Sequence, residues 1–247
     1  MVSTGDSRET REFAREAKFL VSAAEAPRLR AWARRVLSPD PHGTGPWLDE
    51  YAIATLYFET AAFDVFHRRG SFGRSKLRIR RYGAMNTVFL ERKLRTDGLL
   101  AKRRTAVPIE ELAVLDETPS RAWPGHWFHK RLARRALRPG CRVSYTRMAR
   151  MGQTKDGPIR LTIDAGLRAA ATSRISLAEL GGSLVMPDQA IVELKFIGDQ
   201  PALFQYLADE FQITPQPVSK YRMSMAALEP AALPAAVRPV MDMGDAL

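Results

Sequence analysis

The sequence predicts an α+β fold in which an antiparallel sheet of about eight strands closes into a barrel with helices packed outside. Three observations indicate this fold. Most predicted strands alternate with period two, so that one face is apolar and the other is charged. The charged faces are mostly cationic, and like charges on neighbouring strands destabilise a sheet unless a counter-charge is present. The intervening helices have apolar stripes, which the apolar outside of a barrel would cover.

The chain begins with a strand and a helix. Residues 12–20 alternate as a strand, with Glu16 and Lys18 on one face. Ser22 and Glu25 have the spacing of a capping box, and apolar residues follow at helical spacing as far as Leu37. The elements that follow are predicted as a loop at 38–50, a strand at 51–60 and a short helix or loop at 61–74.

A charged hairpin is predicted at the centre of the chain. Its first strand, residues 75–82, has Lys76, Arg78 and Arg80 on one face. A Gly-Ala-Met-Asn turn leads to residues 87–93, where Glu91 and Lys93 share a face. A third paired strand is predicted at 99–107, and it contains Lys102, Arg103 and Arg104.

The second half of the chain repeats the alternation. Helices are predicted at 109–115, 123–137 and 201–211, and strands at 141–150, 159–165, 190–197 and 218–225. The polar faces of these strands carry Arg147, Asp164, Glu193, Lys195 and Lys220. We predict one domain over residues 11–226, with disordered tails at 1–10 and 227–247.

Composition limits the classes of function. A net charge of +11 indicates an anionic partner, such as nucleic acid, nucleotide, polyphosphate or an anionic membrane surface. The single cysteine, Cys141, excludes an intramolecular disulfide bond. No apolar run reaches the roughly 18 residues of a membrane helix, and no signal-peptide core is visible, so a cytoplasmic protein is expected. The sequence has no glycine-rich phosphate loop, and its histidines are scattered apart from the pair His126 and His129.

A Glu-x-Lys pattern occurs at 16/18, 91/93 and 193/195. In each pair, a carboxylate that could hold a metal lies beside a cation that could contact phosphate. Taken alone, each pair is better explained by a cross-strand salt bridge than by a functional site. Three pairs on one face favour a site for phosphoryl transfer, which depends on positioning and charge neutralisation more than on covalent chemistry.

An ordered set of segments resembles the polyphosphate polymerase (VTC) domain of the triphosphate tunnel metalloenzyme superfamily. The segments are Glu-Ala-Lys-Phe (16–19), Thr-Leu-Tyr-Phe-Glu-Thr (55–60), Lys-Leu-Arg-Ile-Arg-Arg-Tyr (76–82), Phe-Leu-Glu-Arg-Lys (89–93), Lys-Arg-Arg (102–104), Ser-Tyr-Thr-Arg (144–147), Arg-Leu-Thr-Ile-Asp (160–164), Val-Glu-Leu-Lys (192–195) and Ser-Lys-Tyr (219–221). The resemblance implies a triphosphate tunnel formed by an antiparallel barrel, with ATP and inorganic polyphosphate as substrates and Mn²⁺ or Mg²⁺ as cofactor.

The resemblance also implies roles for individual residues. Phosphate contacts and catalytic roles are implied for Lys18, Arg78, Arg80, Lys93, Lys102, Arg147 and Lys220. Arg103 or Arg104 could replace Lys102 after a one-residue slip in register. Binding of the triphosphate or polyphosphate, as distinct from the metal ion, is implied for Arg78, Arg80, Lys93 and Lys195. Glu193 is the implied metal ligand, with Glu16 and Glu91 as further candidates.

The expected activity is transfer of the ATP γ-phosphate to a growing polyphosphate chain. The triphosphatase branch typically begins with Glu-x-Glu-x-Lys, and Ala14 at the first of these positions favours the polymerase branch. A metal-dependent tripolyphosphatase and a non-catalytic polyphosphate- or nucleic-acid-binding module remain as alternatives. Nucleic acid is not the expected partner, because a basic binding surface has no need of carboxylates among its cations. Export of the product would require a membrane partner.

Overall fold

The structure is a computed structural model that describes residues 7–9, 14–96, 99–177 and 181–228. The strands in these ranges are β1 (Ser7–Glu9), β2 (Ala14–Ser22), β3 (Ser38–Pro39), β4 (Glu50–Glu59), β5 (Ser75–Tyr82), β6 (Thr87–Thr96), β7 (Leu99–Pro108), β8 (Arg138–Thr154), β9 (Gly157–Ala171), β10 (Ser183–Leu184) and β11 (Gln189–Ile197). The α-helices are α1 (Ala26–Val36), α2 (His126–Arg134), α3 (Ala202–Glu210) and α4 (Lys220–Ala227), and short 3₁₀ helices span Gly70–Arg74 and Ile109–Asp116. Of the tails predicted at 1–10 and 227–247, the structure describes residues 7–9, which form β1, and residues 227–228. The other residues of both tails lie outside the described ranges.

The strands form one antiparallel sheet in the order β1-β7-β6-β5-β4-β8-β9-β11-β2, with β3 added to β8 and β10 added to β9. The predicted central hairpin is present. In its register, Lys76 lies opposite Lys93 and Arg78 lies opposite Glu91. On the next pair of strands, Glu91 lies opposite Arg104. The predicted charged residues of β5, β6 and β7 therefore share one face.

The prediction of a closed barrel is wrong. Within the described residues, no backbone pairing joins β2 to β1 or β7 at the other end of the sheet. The sheet instead curls until side chains from distant strands meet, as Lys93 of β6 and Glu16 of β2 do at 3.4 Å. The free edge of β2 makes a hydrogen bond to a non-strand segment: the backbone N–H of Gln216 donates to the carbonyl of Lys18 (2.8 Å). The segment leading to α4 thus covers part of the edge that would have closed the barrel.

The convex face of the sheet is apolar and carries three helices. On one side, α1 and α3 pack against β2, β9 and β11 in a core that includes Leu29, Trp32, Phe204, Leu207, Phe19, Ile163 and Val192. On the other side, α2 and the 3₁₀ segment at Ile109–Asp116 pack against β5 and β6, with Phe128 and Leu132 against Leu77 and Leu90. The expectation of an apolar outer face covered by helices is confirmed. The predicted capping box is wrong: Ser22 Oγ accepts from the Glu25 N–H at 3.1 Å, but α1 begins only at Ala26, and its N-cap residue Glu25 makes no side-chain capping hydrogen bond.

The concave face is charged along much of its length but apolar where α4 enters it. Val218, Tyr221 and Met225 pack there against side chains of β4, β8 and β11. The prediction of a last strand at 218–225 is therefore wrong. Ser219 caps α4 by accepting from the Arg222 N–H (3.4 Å), and the buried positions 220, 221, 224 and 225 follow helical spacing.

Two further boundaries differ from prediction. Helix α2 is shorter than the predicted 123–137 because Pro124 and Gly125 precede it and Ala136 adopts a left-handed φ of 47° beyond its end. Strands β8 and β9 form a long hairpin that extends past the predicted ends of both strands. Among the helices of the described residues, none is long and apolar enough to span a bilayer.

The apolar layer under α3 yields a test of the fold. We expect Phe204→Ala to lower the free energy of unfolding by about 3–5 kcal/mol, because Phe204 is 0% exposed and its ring lies 6.1 Å from that of Phe196. Tyr206→Ala, on the 57%-exposed side of the same helix, should change it by only about 0.5 kcal/mol. Urea unfolding measures both values, and equal losses for the two variants would contradict this packing.

Candidate functional site

The concave face brings together all eleven residues that the sequence singled out. They are Glu16 and Lys18 on β2, Arg78 and Arg80 on β5, Glu91 and Lys93 on β6, Lys102 on β7, Arg147 on β8, Glu193 and Lys195 on β11, and Lys220 on α4. Period-two alternation places the strand residues on the same face, and the curl of the sheet brings the strands towards one another.

Glu91 is the centre of one ionic cluster on this face. Arg78 Nε lies 2.6 Å from Glu91 Oε2, while Arg104 Nε and Lys102 Nζ lie 3.4 and 3.8 Å from Oε1. Burial would raise the pKa of Glu91, but Arg78, Arg80, Lys102 and Arg104 lower it far below its usual value. Glu91 is therefore a fixed anion that holds cations from two neighbouring strands.

Glu193 belongs to a second cluster, built with Asp164, Arg147 and Lys220. Arg147 binds both oxygens of Asp164, at 2.6 and 2.7 Å, and its Nη2 lies 3.8 Å from Glu193. Lys220 Nζ lies 2.6 Å from Asp164 and 2.8 Å from Glu193. Burial opposes ionisation of all of these groups. The opposite charges nevertheless lower the pKa of both carboxyls and raise the pKa of Lys220.

Glu16 connects opposite parts of the curled sheet. Its carboxylate lies 3.0 Å from Lys18 on its own strand and 3.4 Å from Lys93 on β6. Burial and the nearby Glu193 carboxylate would both raise the pKa of Glu16, but Lys93, Lys195 and Lys18 outweigh them and lower it to about 2. Glu16 is therefore ionised at neutral pH.

Three cations of the concave face have no such partner. Among the described residues, no carboxylate lies within ion-pairing distance of Arg80, Lys76 or Lys195. Arg80 is 7% exposed and donates to Thr55 Oγ1 at 3.2 Å. Lys76 donates to Ser219 Oγ at 3.1 Å, and burial together with Lys93 and other cations lowers its pKa to about 7. Buried charge without a counter-charge is costly, so this arrangement favours binding of an anion.

Comparison with known proteins agrees with this chemistry. The sequence profile of the VTC domain matches residues 13–229. The chain belongs to the VTC family. The resemblance inferred from the ordered motifs is therefore confirmed, and the match covers every element of the VTC domain from β2 to α4.

One solved structure supports the same fold. A candidate adenylate cyclase from Bacillus halodurans superposes with a TM-score of 0.54 at 19% identity, covering 85% of this chain and 95% of that one. A candidate adenylyl cyclase from Hippeastrum, described as having a dominant triphosphatase activity, gives a TM-score of 0.49 at 15% identity, covering 88% of this chain and 98% of that one. Among curated proteins, none matches the chain in sequence.

The VTC domain contains site residues that sequence reasoning did not select. Asp164 pairs with Arg147 and Lys220, and the available signals were its position on the polar face of its strand and its place at the end of the matching segment 160–164. Arg104 shares a face with Lys102 and lies closer to Glu91. Lys102 and Arg104 therefore both lie on the concave face, whereas Arg103 points to the opposite face, where its guanidinium lies 4.3 Å from the Trp127 ring.

The carboxylates of the VTC domain fit a divalent cation only together with a substrate. Within the described ranges, no group of three His, Cys, Asp or Glu side chains is arranged to hold a metal by itself. Glu193 and Glu16 lie on the paired strands β11 and β2, two residues apart in register and on the same face, since Glu193 is opposite Lys18 and Glu16 is opposite Lys195. Mg²⁺ is typically held by one or two carboxylates plus substrate phosphates, and Mn²⁺ also prefers oxygen ligands. This pair therefore fits such an ion when phosphate oxygens complete the coordination.

His129 and Cys141 are both buried. His129 is buried with its ring edge-to-face against Trp123 at 6.2 Å. Burial raises the pKa of the Cys141 thiol, which lies in the apolar part of the concave face. A buried thiol with a raised pKa is a poor nucleophile.

Lys220 provides a test of the Glu193 cluster. We expect Lys220→Met to lower the free energy of unfolding by about 3–5 kcal/mol near neutral pH, because it leaves Asp164 and Glu193 buried with less compensation. The control is Arg222→Met on the same helix, since Arg222 makes no ion pair with a described carboxylate and its loss should have a much smaller effect.

The pH dependence of the Lys220→Met deficit follows from the pKa directions. The folded-state pKa values of Asp164 and Glu193 are lowered, so their contribution is present above their unfolded values of about 4 and is lost as pH falls. The raised pKa of Lys220 keeps its contribution constant up to about pH 10. The deficit should therefore be flat from about pH 5 to 9 and shrink below about pH 4. A deficit that grows in acid would contradict the cluster.

Proposed function

We propose that this VTC domain, spanning residues 11–226, is a polyphosphate polymerase. It transfers the γ-phosphate of ATP to the terminal phosphate of a growing inorganic polyphosphate chain and releases ADP. Family membership supports an enzyme that acts on polyphosphate or triphosphate groups. The choice of polymerase rests on the sequence, where Ala14 replaces the first glutamate of the triphosphatase pattern.

The observation that carries the proposal is the set of cations without a carboxylate partner among the residues that the structure describes. Arg80, Lys76 and Lys195 come from two distant strands of the curled sheet, so their counter-charge must extend across the concave face. A phosphate chain has this shape, with a negative charge at every unit. Arginine offers paired N–H donors to phosphate oxygens, and lysine offers a compact charge.

The chemistry asks for orientation and charge neutralisation. An oxygen of the terminal phosphate attacks the γ-phosphorus, and the bond between that phosphorus and the β–γ bridging oxygen breaks, so the leaving electron pair stays with ADP. The attacking oxygen is already anionic, so no side chain has to remove a proton. We assign the alignment of the reacting phosphates to Arg78, Arg80, Lys93, Lys102 and Arg147, with Lys18, Lys195 and Lys220 completing the cationic surface.

A divalent cation would be held by Glu193 and Glu16, while Glu91 is committed to Arg78 and Arg104. When bound, Mn²⁺ or Mg²⁺ would supply Lewis-acid neutralisation of the phosphate oxygens. The paired cations position these carboxylates in the protein. Lys18 and Lys93 hold Glu16, and Lys220 holds Glu193.

Product analysis tests the reaction. Purified protein is incubated with ATP, Mn²⁺ and a short polyphosphate primer, and the products are separated on a gel stained for polyphosphate while free phosphate and ADP are measured. We expect long chains with ADP in step with chain growth. Free phosphate without chains would show that the protein is a tripolyphosphatase and not a polymerase, because water would then take the place of the acceptor phosphate. Binding with no turnover would leave a binding module.

Glu193→Gln tests the metal assignment. We expect turnover to fall by about 100-fold or more, because loss of metal-based charge stabilisation costs several kcal/mol in the transition state. Binding of tripolyphosphate measured without metal should change little, since the cations remain. The control is Glu117→Gln, which removes an exposed carboxylate at the end of the 3₁₀ helix Ile109–Asp116 on the convex side of the sheet. Normal turnover of Glu193→Gln would remove this residue from the metal site.

Lys76 gives a pH-dependent prediction for binding. Because its pKa is lowered to about 7 without a ligand, Lys76 is largely neutral at about pH 8, and a bound phosphate chain should restore its charge. We expect tripolyphosphate binding to take up close to one more proton in the wild type than in Lys76→Met at about pH 8, and little more at about pH 6. Calorimetry in buffers of different ionisation enthalpy measures this difference. Lys155→Met, at an exposed position, is the control, and equal uptake by wild type and Lys76→Met would refute the assignment.

A further inference from the structure

A second group of cations lies on the convex side of β6 and β7. We call Arg92, Arg103, Arg131 and Arg135 the outer arginine cluster. Arg92 and Arg103 are cross-strand partners on the face opposite to Glu91 and Lys93. Arg131 belongs to α2 and Arg135 ends that helix one turn later, so the two are close neighbours. Exposed Lys130 and Arg134 lie beside them on the same helix.

The cluster is held in place by contacts with neutral groups. Arg92 Nε donates to Ser75 Oγ at 3.1 Å, and Arg135 Nη2 donates to Ser71 Oγ at 2.6 Å. The Arg135 guanidinium lies 3.9 Å from the centre of the Phe72 ring. The Arg131 Nε is buried and has no hydrogen-bond partner among the described residues. The arrangement therefore orients guanidinium groups without using up their charge.

Counter-charge is missing from much of this cluster. No described carboxylate lies within ion-pairing distance of Arg92, Arg131 or Arg135. Burial lowers the pKa of Arg92, and the charges of Arg131, Arg135 and Arg103 lower it further. Repulsion of this kind is relieved by a bound anion, and guanidinium groups suit phosphate.

The cluster lies next to one end of the concave face. Residues 68–75 connect the two, because Ser71, Phe72 and Ser75 contact the cluster while the next residue, Lys76, faces the concave side. Arg68 and Arg222 add positive charge near Lys76, since both lower its pKa. A cationic path therefore leads from the concave face past Lys76 and across this segment to the outer arginine cluster.

The aromatic residues of the cluster distinguish a phosphate chain from a nucleic acid. Proteins that hold single-stranded nucleic acid stack bases on aromatic faces. Here Phe72 is stacked by Arg135, and Trp127 is stacked by Arg103 and donates to Thr105 at 2.8 Å. These rings support guanidinium groups, so the cluster offers charge to phosphates and little to bases.

We propose that the outer arginine cluster binds the part of an inorganic polyphosphate chain that extends beyond the concave face. Long chains then make two sets of contacts and short chains only one. This proposal rests on the proposed function only in that the concave face must take the same kind of chain. Linking two contact sets raises affinity without changing the first set.

The test compares two polyphosphate probes, a DNA probe and three variants. The polyphosphate probes are tripolyphosphate and long-chain polyphosphate, the DNA probe is a single strand of equal charge, and binding is measured by calorimetry over a range of salt concentrations. The test variant is Arg92→Gln/Arg131→Gln/Arg135→Gln. The control variant, Arg35→Gln/Lys155→Gln/Arg174→Gln, removes the same charge from exposed positions elsewhere. A third variant replaces the same three cluster arginines with lysine, which keeps the charge.

We expect the cluster Gln variant to bind tripolyphosphate like the wild type and long chains at least about tenfold more weakly. Its slope of log affinity against log salt should be shallower by about 2, as expected for the loss of three phosphate contacts on a single strand. The Lys variant should recover part of the affinity for long chains. Thermal melting checks that all variants are folded.

Three outcomes would overturn the proposal. Long-chain affinity equal to that of the control variant would leave the cluster without this role. Equal weakening for both polyphosphate probes would mean that the substitutions act on the concave face. Single-stranded DNA that binds the cluster more tightly than polyphosphate of equal charge would make nucleic acid the occupant. If the wild type binds no tripolyphosphate, the proposed function fails separately, and the long-chain comparison still judges the cluster.

Discussion

Lys220 brings a positive charge from α4 into the interior of the sheet, between the carboxylates of Asp164 and Glu193. Each of these groups is buried, and a buried charge is tolerated only when it is paired. The pairing therefore fixes α4 inside the curl of the sheet, and Tyr221 adds a hydroxyl contact to Glu59 on β4. The segment before α4 then runs along β2, where Gln216 donates to the backbone of Lys18. The ion pairs of Lys220 therefore hold α4 where it fills one end of the concave face. The same placement of α4 brings the preceding segment to the open edge of β2.

The charges of the concave face divide into two kinds. Those around Glu91 and Glu193 neutralise one another and position the carboxylates. Those of Arg80, Lys76 and Lys195 lack a carboxylate partner in the described residues. The first kind gives the site a defined shape, and the second kind gives it affinity for anions. The lowered pKa of Lys76 is a physical sign of the second kind, since the energy of its charge is reduced when an anion is bound.

The two sides of β6 illustrate how one strand can serve two surfaces. Glu91 and Lys93 face the concave side, and Arg92 between them faces α2. In many antiparallel sheets, the alternation of side chains along a strand places apolar residues in the core and polar residues in solvent. Here it separates two cationic surfaces, and the apolar layer between the sheet and α2 keeps Arg92 near the rim, beside Ser75.

Sequence alternation determined which strand residues share a face, because the period of a strand is a local property of the backbone. Alternation alone was therefore enough to place Glu16 with Lys18 on one face of their strand and Arg78 with Arg80 on one face of theirs, and the apolar stripes indicated which side of each helix is buried. The ordered motifs also determined the family. Their roles in catalysis stay predictions, since the arrangement of side chains does not by itself report turnover.

Tertiary structure decided what depends on residues far apart in the chain. At the open edge of the sheet, Gln216 donates to the carbonyl of Lys18, a contact that no local pattern predicts. The segment 218–225 alternates like a strand, yet it contains helix α4. Ser219 caps this helix, and Lys220 forms ion pairs with two carboxylates from other elements. Asp164 likewise belongs to the site because it pairs with Arg147 and Lys220, which lie on other elements. Local propensity is weak compared with the cost of burying an unpaired charge, so long-range pairing decided these elements.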